Sequence, residues 1–369
     1  MVTLPTRTKT SCVALVVPVL LAVLACGRDA ATYDAPVALE RELTQLFQLG
    51  PDGGTWSFRD LRGIAFDSTG RIWVAEYDGV IHQFEEGGRY IRTIKRPGDG
   101  PGEFDVILYF DIDPATNNFV LETNEEVIVL DQELEQLARW TRLRKFGVLL
   151  SGVRMIPNKG GLLLPLPLKS DTVRKDGFEL ITSHGLLGRA DYDGVVSDTL
   201  APMVGGWTRR KLPPDGWRGG VPGRGREIWI PLGTNGVLVG DGHGEYNLSL
   251  VNIEGKTLRR YSRRVPVEEL TGFEGPAMTR GMISRAVFDS RREEILLCRV
   301  PVDPNSKSLE VDYFSLKGEF LGTLAWPLCP YRTHRDGTIY ATGLDENGSP
   351  FIRAFTYSTP GAALKRPSS

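Results

Sequence analysis

The four histidines are the first residues to consider for metal binding or acid–base catalysis. They are His82, His184, His243 and His334. None stands at the spacing of a metal-ligand pair or of a catalytic triad. Asp241-Gly242-His243-Gly244-Glu245 alternates acids with a histidine, which could share one face of a strand. The interleaved glycines instead predict a hairpin loop for this motif, and not a metal site.

Segment 207–227 (WTRRKLPPDGWRGGVPGRGRE) concentrates basic and aromatic residues that could bind a ligand. An arginine fork matches a carboxylate, and a tryptophan offers a flat apolar face. Long irregular loops are often functional, so we expect an anionic or glycan ligand, or an envelope protein, to bind here. A solvated insertion is the alternative interpretation. The candidate binding residues are Trp207, Arg209, Arg210, Trp217 and Arg218.

Other signatures of enzymes are missing from the sequence. It contains no Gly-x-Ser-x-Gly motif and no glycine loop that would cradle a phosphate at the start of a helix. Lys and Arg total 44 against 46 Asp and Glu, a net charge of -2, which gives no support to nucleic acid as the main partner. We therefore expect no cofactor, and a monomer.

Short strands separated by glycine turns must position any site in this chain. The 42 glycines and 24 prolines are spread along the sequence, as many tight turns require. Every break between the first predicted strands has hairpin length, so successive strands should pair antiparallel. The first strands, within residues 63–94, are GIAFD, RIWVAE, VIHQF and RYIRTI.

The four-stranded unit returns at a period of roughly 40 to 50 residues, which is the signature of propeller blades. Five units are complete or nearly so, the third (152–204) is the least regular, and the sixth lacks one strand. Residues 39–48 (LERELTQLFQ) would supply that strand, although a short helix is the alternative. The sequence predicts an all-β fold: a six-bladed β-propeller of four-stranded antiparallel blades over residues 38–358, closed by an N-terminal strand and followed by a disordered tail at 359–369.

The N-terminus has the pattern of an export signal. Arg7 and Lys9 precede an apolar run at 12–25 (CVALVVPVLLAVLA). This run is shorter than a membrane-spanning helix, which needs about 20 residues. Residues 23–27 (VLACG) resemble the lipobox of bacterial lipoproteins. This resemblance implies a signal peptide at 1–25, a lipid anchor on Cys26, a tether at 26–37, and a position on the periplasmic or outer face of a bacterial envelope. A secreted protein cut at an Ala-x-Ala-like site is the alternative.

The first unit resembles the NHL repeat of six-bladed propellers, especially the bacterial secreted and lipoprotein members. The similarity lies in the turn Ser68-Thr69-Gly70, the strand WVAE and the connector GDGPGEF at 98–104. Glycine and proline suit the tight reversals of a chain that passes from one blade to the next, and Phe104 could fill apolar space between the blades. The resemblance implies the propeller fold but carries no family-wide catalytic residues.

Acids at strand ends offer a second interpretation of function. They could line a central channel and hold a divalent cation, as in propeller lactonases resembling gluconolactonase, although acids at strand ends also commonly cap turns. The leading hypothesis is an envelope-anchored, non-catalytic binding or scaffolding propeller; a hydrolase or lyase with a channel cation is the alternative. The acids are Asp67, Glu76, Glu122 and Asp289.

Two cysteines follow the export signal far along the chain. Cys298 and Cys329 could form a disulfide in an oxidising compartment. Both stand in apolar, strand-like contexts, so two buried thiols are an equally good interpretation.

Overall fold

Glycine turns shape the first blade. Gly70, Gly79 and Gly88 have φ values of 86°, 73° and 86°, in the left-handed region that glycine adopts without strain. Asp67 caps the first of these turns, because its Oδ1 accepts hydrogen bonds from the amides of Thr69 (2.9 Å) and Arg71 (3.0 Å). These local interactions make each strand reverse onto its neighbour.

A computed structural model of the chain describes only part of it. The predicted signal peptide, Cys26 and the tail 359–369 lie outside the described residues. The described residues are 37–50, 57–141, 154–156, 161–175, 178–210, 220–222, 227–241, 245–265, 268–269, 279–280, 283–299 and 308–358.

Six antiparallel sheets form the blades, numbered here in chain order. Blade one has β2 (Leu61–Phe66), β3 (Ile72–Glu76), β4 (Val80–Phe84) and β5 (Tyr90–Lys95). Blade two has β6 (Tyr109–Ile112), β7 (Phe119–Glu122), β8 (Glu126–Leu130) and β9 (Gln136–Thr141). Blade three has β10 (Arg154–Ile156), β11 (Gly161–Lys175), β12 (Phe178–Ala190), β13 (Val196–Arg210) and β14 (Gly220–Pro222).

The second half of the ring follows the same pattern. Blade four has β15 (Glu227–Pro231), β16 (Val237–Asp241), β17 (Glu245–Val251) and β18 (Thr257–Arg264), with a 3-10 turn at Gly233–Asn235. A small sheet of β19 (Glu268–Glu269) and β20 (Thr279–Arg280) follows. Blade five has β21 (Ile283–Asp289), β22 (Glu294–Arg299), β23 (Leu309–Ser315) and β24 (Phe320–Trp326). Blade six has β25 (Pro330–Thr333), β26 (Ile339–Leu344), β27 (Pro350–Ser358) and, at its outer edge, β1 (Glu42–Leu49).

The first strands of the blades lie side by side around the axis. Contacts run in the order β2, β6, β10, β15, β21, β25 and back to β2. Gly63 shows how closely neighbours approach, because a Cβ at this position would lie 2.8 Å from Cβ of Phe110. The apolar core fills the spaces between blades, as expected when sheets pack face to face. Phe104, 2% exposed, lies in the cluster between blades one and two, as the sequence predicted.

The connector at 98–104 folds back on itself. The amide of Gly100 donates to Oε2 of Glu103 at 3.0 Å, and a Cβ on Gly98 would lie 2.2 Å from the same oxygen. Arg139 of blade two donates to the carbonyls of Asp99 (2.7 Å) and Glu103 (2.8 Å). The glycines are therefore needed for space as much as for backbone freedom.

The N-terminal strand closes the ring. β1 pairs antiparallel with β27 from Glu42 opposite Ser358 to Leu49 opposite Ile352. The prediction of a closing strand is confirmed, and the alternative of a short helix is wrong. The edge of β27 would otherwise be unpaired, which favours the strand over the helix.

A buried ion pair supports this closure. Nη1 and Nη2 of Arg41 each donate to Glu294 of blade five at 2.6 Å, and the guanidinium lies 4.9 Å from the Tyr313 ring and 4.6 Å from the Tyr357 ring. Burial alone would lower the pKa of Arg41, but the hydrogen bond with Glu294 raises it. The segment before β1 is thus tied to blade five as well as to blade six.

Blade three differs from the others. β11, β12 and β13 span 15, 13 and 15 residues, against four to eight for most other blade strands. β13 extends through Trp207 to Arg210, and β14 pairs with it, Gly220 opposite Arg209. The expectation of an irregular loop across 207–227 is therefore wrong for residues 207–210 and 220–222, because these residues join the extended sheet.

Cys298 and Cys329 form a disulfide, with their Cα atoms 5.8 Å apart. Cys298 lies in β22, and Cys329 directly precedes β25. The sequence left the disulfide and two free thiols equally open. The bond links blade five to the start of blade six.

Candidate functional site

Arginine and aromatic side chains come together at the axis of the ring. On the innermost strands, the charged side chains that the structure describes are four arginines and two aspartates, one of which, Asp289, ends β21 at a turn. Channels and crevices at the centre of a fold are common sites for ligands. The arginines are Arg62 in β2, Arg154 in β10, Arg285 in β21 and Arg332 in β25.

Arg332 reaches across the axis. Its Nη2 lies 2.6 Å from Oδ1 of Asp111 in blade two, although blade one stands between their blades along the ring. The Tyr109 hydroxyl donates to Oδ2 of Asp111 at 2.6 Å. Burial would lower the pKa of Arg332, but Asp111 raises it. Burial, with Asp111 adding to it, raises the pKa of Tyr109. This pair is a fixed, charged centre, with Arg332 34% exposed and Asp111 2% exposed.

Arg154 lies between two aromatic rings. Its guanidinium carbon is 4.5 Å from the Tyr109 ring and 5.1 Å from the Trp229 ring, so it joins three consecutive innermost strands. Both distances fall within the range of cation–π attraction. The guanidinium is oriented by its aromatic neighbours, and Arg154 remains half-buried.

Arg285 and Tyr331 form a similar contact on the other side of the ring. The guanidinium carbon of Arg285 lies 4.0 Å from the Tyr331 ring, and the Tyr331 hydroxyl donates to the carbonyl of Arg62 at 2.9 Å. Arg62 in turn lies 4.6 Å from the Tyr77 ring and pairs with Asp60 at 2.6 Å. We call Tyr109, Asp111, Arg154, Trp229, Arg285, Tyr331 and Arg332 the axial cluster.

The axial cluster has the chemistry of an anion-binding site. Among its described side chains are three half-buried guanidinium groups and one carboxylate, that of Asp111, which pairs with Arg332. Guanidinium groups recognise carboxylates and phosphates through N–H groups at the edge of the plane, and the plane itself can stack on an aromatic ring. The flat rings add apolar area of the kind that suits sugars and ring compounds.

The acids predicted from the sequence do not converge. Asp67 follows the innermost strand β2 and Asp289 ends the innermost strand β21, whereas Glu76 and Glu122 end second strands, which run in the opposite direction. The first two therefore lie at one face of the ring and the last two at the other. Asp289 accepts hydrogen bonds from the amide of Arg291 (3.0 Å) and from the Tyr357 hydroxyl (3.2 Å).

Three of the histidines can be placed. His82 Nε2 lies 2.6 Å from Oε1 of Glu76, and its Nδ1 lies 2.8 Å from the Thr93 hydroxyl. Burial would raise the pKa of Glu76, but hydrogen bonds from His82 and from the Arg59 amide hold it below its usual value. His184 belongs to β12, and His334 follows β25. His243 lies outside the described residues.

The binding residues predicted in segment 207–227 are placed only in part. Trp207, Arg209 and Arg210 belong to β13, and their backbone pairs with β12. Trp217 and Arg218 lie outside the described residues. Their role in binding stays a prediction.

Sequence reasoning missed the axial cluster. Its signal was the repeated appearance of an arginine or a large aromatic residue in the first strand of each unit, which a strand-by-strand alignment of the units would have exposed. The sequences of these strands are LRGIAF, YFDI, RMI, EIWIP, ISRAVFD and PYRT.

Comparisons with known proteins agree with this architecture. A family model described as "6-bladed beta-propeller" matches residues 59–141. The chain is similar to the structure of a candidate exported protein from Bacteroides fragilis, with a TM-score of 0.50, 11% identity, and coverage of 86% of this chain and 95% of that one. It is also similar to a member of the duf4221 family from Bacteroides vulgatus, with a TM-score of 0.49, 11% identity, and coverage of 86% and 99%. No curated protein matches the chain.

The protein is a six-bladed β-propeller, built from antiparallel sheets. Among the described residues, no helix has the length and apolar character needed to cross a membrane.

Proposed function

We propose that this protein is an exported binding propeller without catalytic activity, and that it holds an anionic, sugar-like ligand at its axial cluster. The observation that carries the proposal is the set of half-buried arginines stacked on aromatic rings, Arg154 on Tyr109 and Trp229 and Arg285 on Tyr331. These groups match a carboxylate on a pyranose ring, because guanidinium binds the charge and the aromatic face packs on the ring.

The alternative of a hydrolase or lyase with a channel cation finds less support. Such a site needs carboxylates that converge on one point. The four acids predicted for it are divided between the two faces of the ring, and Asp67 and Asp289 cap turns. The axial cluster favours an anion instead.

A calorimetric titration with oligogalacturonate tests the proposal. We expect the charged oligomer to bind more tightly than a neutral galactose oligomer of the same length. Replacing Arg154→Gln and Arg285→Gln together should weaken binding at least tenfold, a loss of about 1.4 kcal/mol. Arg332 is left in place because its removal would strand the buried Asp111.

The control for this titration is Arg260→Gln, which removes an exposed arginine from the outer strand of blade four. It should leave affinity unchanged. Equal binding of the charged and neutral oligomers, or equal loss in the control and the double variant, would refute recognition of an anion at the axis.

We also propose that the protein is held at the bacterial envelope by a lipid on Cys26. The lipobox-like residues 23–27 support this, as does the disulfide, which suits an oxidising compartment; the Bacteroides fragilis structure is likewise described as that of a candidate exported protein. Cys26→Ser should move the protein from the membrane fraction to the soluble fraction with an unchanged melting temperature, because acyl chains supply the attachment. A Cys26→Ser protein that still sediments with membranes after a high-salt wash would show that the anchor lies elsewhere.

A further inference from the structure

The seam between blades six and one brings together three metal-ligating side chains from distant parts of the chain. Glu86 lies in the turn between β4 and β5, and His334 and Asp336 lie in the turn between β25 and β26. One ligand atom of each lies within 4.8 Å of the others. Gly70 of the neighbouring turn lies against this cluster, since a Cβ at this position would be in van der Waals contact with Glu86 Oε2 at 3.5 Å and His334 Cε1 at 3.6 Å.

His334 is a buried imidazole without an aligned hydrogen bond. The residue is 4% exposed, and its ring packs on Phe66 with 4.8 Å between ring centroids. Neither ring nitrogen has a hydrogen-bond partner of acceptable geometry among the described residues. Nδ1 does lie 3.0 Å from Oδ1 of Asp336, but proximity without alignment contributes little. A buried polar group in this state is costly, and a cation bound between imidazole and carboxylate would give one of the two ring nitrogens a partner.

The surrounding arginines are engaged by other groups. Arg291 donates to the carbonyl of Asp336, and Arg292 donates to the carbonyl of Gly337 at 3.1 Å. The amide of Thr338 donates to Oδ1 of Asp336 at 2.7 Å, which fixes this carboxylate beside the imidazole. Glu86 is exposed and belongs to the facing blade, so its longer side chain can complete the set.

We propose that Glu86, His334 and Asp336 form a binding site for Zn²⁺ at the seam where the last blade meets the first. One imidazole and two carboxylates are zinc ligands, and water would complete a four-coordinate shell. Among divalent first-row metals, a mixed nitrogen and oxygen site favours the later members of the series, zinc among them, over manganese. Because its ligands come from two blades, the ion would add a cross-link at the closure of the ring.

The test uses untagged full-length protein treated with a chelator and then titrated with ZnCl₂. We expect one Zn²⁺ per chain by calorimetry, and a rise in melting temperature of roughly 5 °C when free zinc reaches about a hundred times Kd. Glu86→Gln should weaken binding at least tenfold and remove the rise. His334→Gln should do the same.

Glu85→Gln is the matched control, because Glu85 is the adjacent acid in the same turn and pairs with Arg89 instead. Its zinc affinity should equal that of the wild type. The proposal is overturned if zinc fails to bind or to raise the melting temperature, or if Glu86→Gln and Glu85→Gln bind zinc equally well. Should His334→Gln fail to fold, the comparison of the two glutamate variants decides alone.

Discussion

At the closure of the ring, Arg41 binds Glu294 through two hydrogen bonds of 2.6 Å and is 9% exposed. At the axis, Arg154 and Arg285 lie half-buried on aromatic rings. Both regions combine arginine with tyrosine, but the arginine at the closure is more deeply buried. If the proposed function is right, substitution at the closure should lower stability, whereas substitution of the arginines at the axis should weaken ligand binding.

The largest effect should come from deleting the closing strand. Removing residues 27–50 from the mature protein takes away the partner of β27, the buried Leu49 and the Arg41–Glu294 pair. We expect the free energy of unfolding to fall by on the order of 5 kcal/mol or more. A thermal melt should show a clear drop for this deletion and little change for removal of residues 27–36. Equal stability of the two truncations would contradict closure by β1.

Elements held by local interactions could be predicted from the sequence, whereas elements held by distant interactions could be predicted only in part. The strands of blade one were predicted almost to the residue, because each is bounded by a turn such as Asp67 to Gly70 whose chemistry is local. A strand was predicted for β1, with a short helix as the alternative. β1 forms a strand because it pairs with the edge of β27, which lies some three hundred residues further along the chain.

The axial cluster could not be predicted in this way. Arg332 and Asp111 are 221 residues apart in sequence, and they meet only because the ring brings their strands around one axis. The extended strands of blade three were also missed, because the first unit predicts strands of four to six residues, whereas β11 and β12 span 15 and 13. The sequence predicted acids at strand ends as possible metal ligands. Asp67 and Asp289 instead accept hydrogen bonds from nearby amides, which accounts for an acid at these positions.

The second prediction concerns the buried pair at the closure. Arg41→Met leaves the Glu294 carboxylate buried without its partner, although Tyr357 still donates to it at 2.8 Å. The loss should be about 3 to 5 kcal/mol, as for one partner removed from a buried pair. The double variant Arg41→Met, Glu294→Gln should lose less than the sum of the single losses. Chemical denaturation of the four proteins measures this, and strict additivity would mean that the two residues stabilise the ring independently.

The smallest effect on stability is expected in the extension of blade three, a third region that contains arginine. Arg209 and Arg210 end β13, which is longer than the strands of the neighbouring blades, and Arg218 follows them in the chain. Changing all three to alanine should alter stability by no more than about 0.5 kcal/mol, as surface substitutions usually do. If these residues bind an anionic ligand or an envelope protein, the same change should cost more than about 1 kcal/mol of affinity.

Pull-downs of envelope proteins and surface glycans, with melts of the wild-type and variant domains, distinguish these results. An unchanged binding profile would leave recognition to the axial cluster, whereas a collapsed melting temperature would place these arginines with Arg41, as charges that hold the fold together.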